Sequence, residues 1–311
     1  MTTESNVLRD AALDSQSVAV AGESPTRPFY WSVRRELWEN RWIYVGQLAT
    51  AAVFLLGFLI NLSRWLAKMH GVSVTDPAQY WEAAALPYNV AAGLMMFVLI
   101  LMNVFYSADA LYGERHDRSI LLWKSLPVSD LTTVLAKASI PLVILPLLTF
   151  AITVAIHVIM LLLCSVALPA SGLSMAALWR ELSIFRMWGM LLYHIFLAHA
   201  LWPFPVYCWL MLVSGWARRA PLLWAALPVA VIGGLEKLVL GTSHFAAMVG
   251  MRLIGGGAPT DVAHGEMFPT GPMTQLTPLR FLSTPGLWIG LVVAVVFLAA
   301  AVRMRRYRDP V

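Results

Sequence analysis

The ionisable and thiol side chains that could do chemistry inside this chain are few. Histidines and carboxylates can relay protons or bind metals, and cysteines can bind zinc or form disulfides. The candidates are His157, His194, His199, the pair Glu236–Lys237, Cys164 and Cys208. His194 and His199 are five residues apart, which puts them off a shared face of an α-helix, and no carboxylate accompanies them. We therefore expect histidines that serve packing, unpaired thiols, no metal site, and an interfacial position for Glu236–Lys237.

Sequence motifs for enzymatic chemistry are missing. There is no Gly-Lys dipeptide, so the common phosphate-binding loop for ATP cannot form, and neither HExxH nor Gly-x-Ser-x-Gly occurs. We expect a chain that is not an enzyme and binds no cofactor itself. Energy for any work would come from a partner protein or from an ion gradient.

The composition is that of a membrane protein. Hydrophobic residues make up 59% and charged residues only 13%, against about 25% charged in soluble proteins. Uncharged runs of a length that crosses a bilayer recur along the chain. We predict an all-α integral membrane protein whose domain, 42–302, has six transmembrane helices: Trp42–Ser63, Leu86–Ala108, a long helix from Ala138, Met187–Ala217, Ala220–Gly241 and Phe281–Val302.

Two stretches decide the number of spans. The uncharged run 138–179 has no turn residues before Pro169, so we expect one long helix that bends near Pro141 and Pro146. The segment 241–280 is too broken by glycine and proline to span, but its apolar start, His244–Ile254, is expected to form a short re-entrant helix on the extracellular side. Gly286 and Gly290, one helical turn apart, predict a close helix–helix approach that could serve a subunit interface.

The positive charges set the expected orientation. Most of the 22 Lys and Arg residues fall on one side of a six-span arrangement, and Arg-rich ends favour the cytoplasm. Both termini are therefore predicted to be cytoplasmic: a disordered tail at 1–28 and a basic tail at 303–311.

An amphipathic helix is expected at 29–41, directly before the first span. Phe29, Val33 and Leu37 share one face, while Arg34, Arg35 and Glu39 could reach lipid head groups or a partner protein.

The segment 109–130 between the second and third spans is longer than a simple connection requires. It reads as a short helix with a charged start that Pro127 stops, after which Ser129 or Asp130 can cap the next span. Its apolar cluster Ile120, Leu121 and Trp123 is expected to be exposed, which indicates a docking surface for another protein. Asp109 and Lys137, at the ends of consecutive spans, form a candidate ion pair.

This segment resembles the coupling-helix region of ABC-2 type permeases, the membrane subunits of bacterial ABC exporters. The similar residues are Tyr112-Gly113-Glu114-Arg115, Ser119-Ile120, the run 123–129 and Lys137. The run 35–39 resembles the N-terminal interface helix of that family, and 285–290 leading to the arginine-rich end is also similar.

The resemblance implies a permease subunit in the bacterial inner membrane, surrounded by lipid. It would act with two copies of a cytoplasmic ATPase subunit, which carry ATP and Mg, and with a second permease that is either another copy or a paralogue; no nucleic acid is involved. The interface helix would add contacts through Arg34, Arg35 and Glu39. The implied ATPase contacts are Glu114, Arg115, Asp117, Arg118, Ile120, Trp123 and Lys124.

Two other functions are compatible with the same sequence. A secondary transporter driven by an ion gradient would have the same span pattern, although the halves share no evident repeat. A non-transporting membrane anchor for a cytoplasmic ATPase complex could keep the same docking segment. The substrate, whether lipid, peptide, drug or ion, is not specified by these residues.

Overall fold

The computed structural model describes residues 26–71, 77–117, 119–120, 128–172, 184–254 and 281–307, and the regular elements among them are helices. Of the predicted tails 1–28 and 303–311, residues 1–25 and 308–311 lie outside the described residues. Residues 26–28 belong instead to the first helix and 303–307 to the last, so both tails were predicted too long. The helices are α1 Thr26–Glu39, α2 Trp42–Gly71, α3 Pro77–Asp109, α4 Tyr112–His116, α5 Asp130–Ala170, α6 Ile184–Leu201, α7 Phe204–Trp216, α8 Pro221–Leu240, α9 His244–Ile254 and α10 Pro285–Tyr307.

Six of these helices, α2, α3, α5, α6, α8 and α10, are long and apolar enough to cross a bilayer, which confirms the predicted number. The expected single span Met187–Ala217 was wrong in detail, because two helices, α6 and α7, occupy it. The break lies at Trp202–Pro203, where Pro203 and Pro205 remove two backbone donors that a continuous helix needs. The chain is thus a multi-pass helical membrane protein.

Prolines inside the spans are accommodated by local changes in hydrogen bonding. In α5 the residues Ile140–Ile144 around Pro141 adopt π-helical geometry, and the helix continues to Ala170, which confirms one long helix. In α3, Pro87 has no N–H for the carbonyl of Ala83, and the indole of Trp65 in α2 donates to that carbonyl instead at 3.2 Å. The carbonyl that Pro87 leaves without a donor thereby forms a hydrogen bond between α2 and α3.

Two apolar cores hold the bundle together. One core contains Phe58, Tyr88 and Met160 and joins α2, α3 and α5 to the start of α6. The other contains Tyr106 and Tyr207 and joins α3 and α7 to α10, α7 packing most extensively against α10. Next to the second core, at the end of the bundle, α1 packs against the first turns of α5.

The short helix α9 forms as predicted and is capped by a residue of α8. The carboxylate of Glu236 accepts hydrogen bonds from the backbone N–H groups of His244 and Phe245, at 2.7 and 2.8 Å, and from the hydroxyl of Thr242. These are donors that the first turn of a helix leaves without partners. Glu236 is therefore a helix cap, and the remaining part of the expected re-entrant segment, 255–280, lies outside the described residues.

Gly286 and Gly290 contact α9 of the same chain, and no subunit interface is needed to explain them. The guanidinium of Arg252 lies 4.1 Å from the ring centre of Trp202, and its Nη1 donates to the Trp202 carbonyl at 3.2 Å. Its Nη2 donates to the carbonyl of Gly286, and a Cβ at Gly290 would collide with the guanidinium. The absence of a side chain at Gly290 thus leaves room for the guanidinium of Arg252 to lie against α10.

Candidate functional site

Five ionisable side chains from four helices meet at one end of the bundle. We call this end the charged end, and we call Arg35, Glu36, Glu114, Lys137 and Arg305 the charged cluster. They come from α1, α4, α5 and α10. Four of the five side chains are at most 5% exposed, and Arg35 is 19% exposed. Charged side chains are almost never buried to this extent unless they are paired.

Glu36 is the most deeply buried member of the charged cluster and is fully hydrogen-bonded. Its Oε1 lies 2.8 Å from Nζ of Lys137 and 2.9 Å from Nη2 of Arg35. Its Oε2 accepts a hydrogen bond of 3.0 Å from the hydroxyl of Tyr106 in α3. Glu36 therefore connects the helix that precedes the first span to two spans.

Glu114 binds the same two cations from the other side. Its Oε1 lies 3.0 Å from Nζ of Lys137 and 3.1 Å from Nη2 of Arg35, and its Oε2 accepts a hydrogen bond from Arg305. Nε of Arg305 lies 3.1 Å from a carboxylate oxygen of Asp130 at the start of α5. Arg35 and Lys137 thus each bridge Glu36 and Glu114, and Arg305 joins Glu114 to Asp130.

The charges balance once the partly exposed Asp130 is included, since three cations face three carboxylates. Burial opposes the charge of Arg35, but Glu36, Glu114 and Glu39 outweigh it and raise the pKa of the guanidinium. Glu39 is a further carboxylate that this count of three cations and three carboxylates does not include. Burial raises the pKa of its carboxyl, and the negative charge of Glu36 raises it further.

A second set of contacts fixes α4 to the end of α7. The hydroxyl of Ser214 accepts hydrogen bonds from the backbone N–H groups of Leu111 and Tyr112, at 2.9 and 2.8 Å. In return, Arg115 donates to the carbonyls of Ser214 and Ala217, at 3.0 and 2.5 Å, which are carbonyls that the end of a helix leaves without donors. The start of the 109–130 segment is therefore attached to four other helices, α1, α5, α7 and α10.

These positions correct part of the predicted docking surface. Glu114, Arg115 and Ile120 are 6%, 4% and 2% exposed and are covered by the chain itself, so Ile120 does not belong to an exposed cluster. The side chain of Asp117 is 76% exposed and can meet a partner. Arg118, Trp123 and Lys124 lie outside the described residues.

The candidate pair Asp109–Lys137 is not a direct ion pair, because Nζ of Lys137 makes its ion pairs with Glu36 and Glu114. The two side chains nevertheless approach closely enough for the charge of Lys137 to act on the Asp109 carboxylate. Asp109 instead packs against α4, where a Cβ at Gly113 would come within 3.3 Å of its carboxylate oxygen. The predicted cap is confirmed at Ser129, whose hydroxyl accepts from the N–H of Thr132 at 3.1 Å.

The helix α1 presents two different faces. Ser32 and Glu36 are buried, and Val33 and Leu37 pack on the second core, whereas the expected apolar residue Phe29 is 39% exposed. The opposite face carries Arg34, whose guanidinium lies 5.1 and 5.9 Å from the ring centres of Trp31 and Trp38. Arg34 and Glu39 are thus exposed as predicted, whereas Arg35 points into the charged cluster.

The carboxylates of Glu36, Glu39 and Glu114 come within 4.8 Å of one another, a spacing that would suit a divalent cation. Lys137 and Arg35 already occupy the positions between Glu36 and Glu114, and they neutralise both. A further cation at this place would meet two positive charges at hydrogen-bond distance. The chemistry of this donor set therefore fits an internal ion network better than a metal site.

The histidines serve packing, although one expectation about them was wrong. The indole of Trp188 donates to Nδ1 of His157 at 3.3 Å, so Nε2 carries the proton and donates to the carbonyl of Tyr88 at 3.1 Å. His194 and His199 are not separated on their helix, because His194–Leu201 is π-helical and brings residues five apart together. Nδ1 of His199 lies 3.0 Å from the carbonyl of His194.

Two members of the charged cluster, Glu36 and Arg305, were missed by sequence reasoning. Arg305 continues the buried stripe of α10 that includes Leu287, Gly290, Ala294 and Ala301, spaced as one helical face. Glu36 lies three residues after Val33, on the side of α1 that faces the core. An arginine or glutamate within an otherwise apolar stripe was the signal that could have identified both.

Comparison of the chain with protein-family models, with curated proteins and with solved structures finds no match.

Proposed function

We propose that the chain is the membrane-spanning permease subunit of an ATP-driven exporter of the ABC-2 type. It acts with separate ATPase subunits, which bind ATP and magnesium, and with a second permease subunit in the bacterial inner membrane. The charged end faces the cytoplasm in this proposal, and the segment 109–130 is the part that meets the ATPase.

The observation that carries the proposal is the attachment of α4 to the spans. Glu114 and Arg115 connect α4 to α1, α5, α7 and α10 through buried charged hydrogen bonds. Buried ion networks contribute little net stability, but they can favour one arrangement of the groups that form them. A movement of the segment 109–130 imposed by an ATPase would therefore displace several transmembrane helices together.

The partner surface in this proposal includes the exposed Asp117, with the exposed Arg34 and Glu39 of α1 as supporting contacts. Arg118, Trp123 and Lys124, which lie outside the described residues, are assigned to it from the sequence resemblance alone. Glu114, Arg115 and Ile120 take part by holding the segment in place from within. Contact with the ATPase and transmission of its movement to the transmembrane helices are thereby assigned to different residues and can be separated by mutation.

The test is purification of the tagged chain in mild detergent with the proteins that accompany it, followed by ATP hydrolysis and transport measurements. We expect an ATPase subunit in stoichiometric amount, and its loss in Asp117→Arg at an unchanged unfolding temperature. Glu82→Arg, an equal change at an exposed residue of the opposite end, is the matched control.

Two results would overturn the proposal. If the chain emerges without an ATPase from every mild detergent, energy must come from an ion gradient. If the ATPase accompanies the chain, but reconstituted vesicles move no lipid, peptide, drug or ion when ATP is hydrolysed, the chain is a membrane anchor for that ATPase.

A further inference from the structure

An apolar groove of about 910 Å³ opens between α7, α8 and α10 at the charged end. This volume lies within the range of roughly 300–1,000 Å³ that is usual for small-molecule sites. Its walls are the last two turns of α7, the first two of α8 and the last two of α10. The residues that line it include Trp209, Trp216, Trp224 and Tyr307, with Arg303 beside them.

The walls of this groove are held in place by contacts within the chain. The indole of Trp209 donates to the carbonyl of Ala225 at 3.2 Å, and the rings of Trp216 and Trp224 meet edge to face at 5.2 Å. Ala220 turns the chain between α7 and α8 with a φ of 45°, in the left-handed region. The separation of the two helices is thus set by the fold and is present before anything binds.

The charge of the groove is concentrated at one end. Arg303 is the only charged residue among the described residues that line it, and it is exposed. Arg218 and Arg219, in the turn between α7 and α8, are also exposed and lie at the same end of these helices. An amphiphile with an apolar chain and a negative head group matches this distribution.

We propose that the groove binds a phospholipid with an anionic head group from the leaflet at the charged end. The acyl chain lies between the indoles of Trp209, Trp216 and Trp224, and the phosphate lies beside Arg303. A transmembrane helix of another copy would fill the same apolar walls but would leave Arg303 without a negative partner. The inference requires only that the chain spans a membrane, and it does not depend on the exporter proposal.

The test uses quenching of tryptophan fluorescence by bromine on a lipid acyl chain. The purified chain is reconstituted in vesicles of phosphatidylcholine and phosphatidylglycerol in which only one of the two lipids is brominated. Because the chain has 13 tryptophans, the double change Trp216→Phe/Trp224→Phe is measured alongside, and the difference reports the groove. We expect the groove signal to be quenched preferentially by brominated phosphatidylglycerol.

Arg303→Gln should lower this preference by about five-fold, the size expected for one cation at an anionic membrane surface. Arg306→Gln is the matched control, because Arg306 is also exposed and also lies 5.9 Å from the ring of Tyr307, but it does not line the groove. Equal quenching by the two brominated lipids would overturn the proposal. An equal loss of preference in Arg303→Gln and Arg306→Gln would overturn it too, since it would indicate a general attraction of basic residues for the surface.

Discussion

Replacement of Glu36 by glutamine should destabilise the chain more than any other single change of a carboxylate to its amide in α1. The glutamate is fully buried, and its charge neutralises Lys137 and Arg35 at 2.8 and 2.9 Å. Glutamine keeps the size and one acceptor oxygen but removes the negative charge. Three cations of the charged cluster would then face Glu114 and the partly exposed Asp130.

The expected loss is about 3–5 kcal/mol in the free energy of unfolding, the usual cost of removing one partner of a buried ion pair. For a chain of this length, that corresponds to a fall of roughly 6–12 °C in the unfolding temperature. Thermal unfolding in mild detergent, followed by circular dichroism, measures it. The matched control is Glu39→Gln, the same chemical change one helical turn away at a side chain that is 39% exposed; we expect it to cost less than about 1 kcal/mol.

A double-mutant cycle with Lys137→Met separates the ion pair from a general packing effect. If the two side chains interact directly, Glu36→Gln/Lys137→Met should be more stable than the sum of the single changes indicates, by about 1–3 kcal/mol. Strict additivity would refute the reasoning. So would an unfolding temperature of Glu36→Gln equal to that of Glu39→Gln.

Three further perturbations test individual contacts by the same measurement. Gly290→Ala should lower the unfolding temperature because the added Cβ collides with Arg252, whereas Gly286→Ala, whose Cβ would meet its nearest neighbour at 3.7 Å, should not; equal effects would contradict the assigned contact. Trp65→Phe leaves the carbonyl freed by the proline of α3 without a donor and should cost about 1–3 kcal/mol; an unchanged temperature would show that the bond is not needed. The raised pKa of Glu39 means that the folded state holds this proton more tightly than the unfolded state, so stability is lost as pH rises through the folded pKa. Lowering the pH from neutral through this raised pKa should therefore stabilise the wild type relative to Glu39→Gln, and parallel pH curves would contradict this.

Features that depend on short stretches of chain could be predicted from the sequence. The number of spans follows from the length of apolar runs, because a bilayer core requires about 20 apolar residues for each crossing. The cap at Ser129 and the local change of helical geometry at Pro141 follow from backbone chemistry that acts within a few residues. The helix His244–Ile254 was bounded correctly for the same reason.

The partners of the charged side chains were decided by the tertiary structure alone. Lys137 lies near two carboxylates in the fold, and its sequence position gave no reason to prefer them to Asp109. Arg305 meets Glu114 across 191 positions of the chain and Asp130 across 175. The choice depends on how the helices pack, and a small rotation of one span would give a charged group a different neighbour.

The sequence by itself thus determined that this is a helical membrane protein with six apolar spans, since hydrophobic length is a local property. It placed the ends of α8 and α9 to within about one residue, whereas α2, α3 and α5 extend well beyond the predicted bounds. The tertiary structure decided that Glu114 and Arg115 lie inside and that Asp117 lies outside. It also decided that the guanidinium of Arg252 lies where a side chain at position 290 would otherwise be. The physical reason is that burial of a charge is favourable only where other helices bring its counter-charge or acceptors, and that is a property of packing.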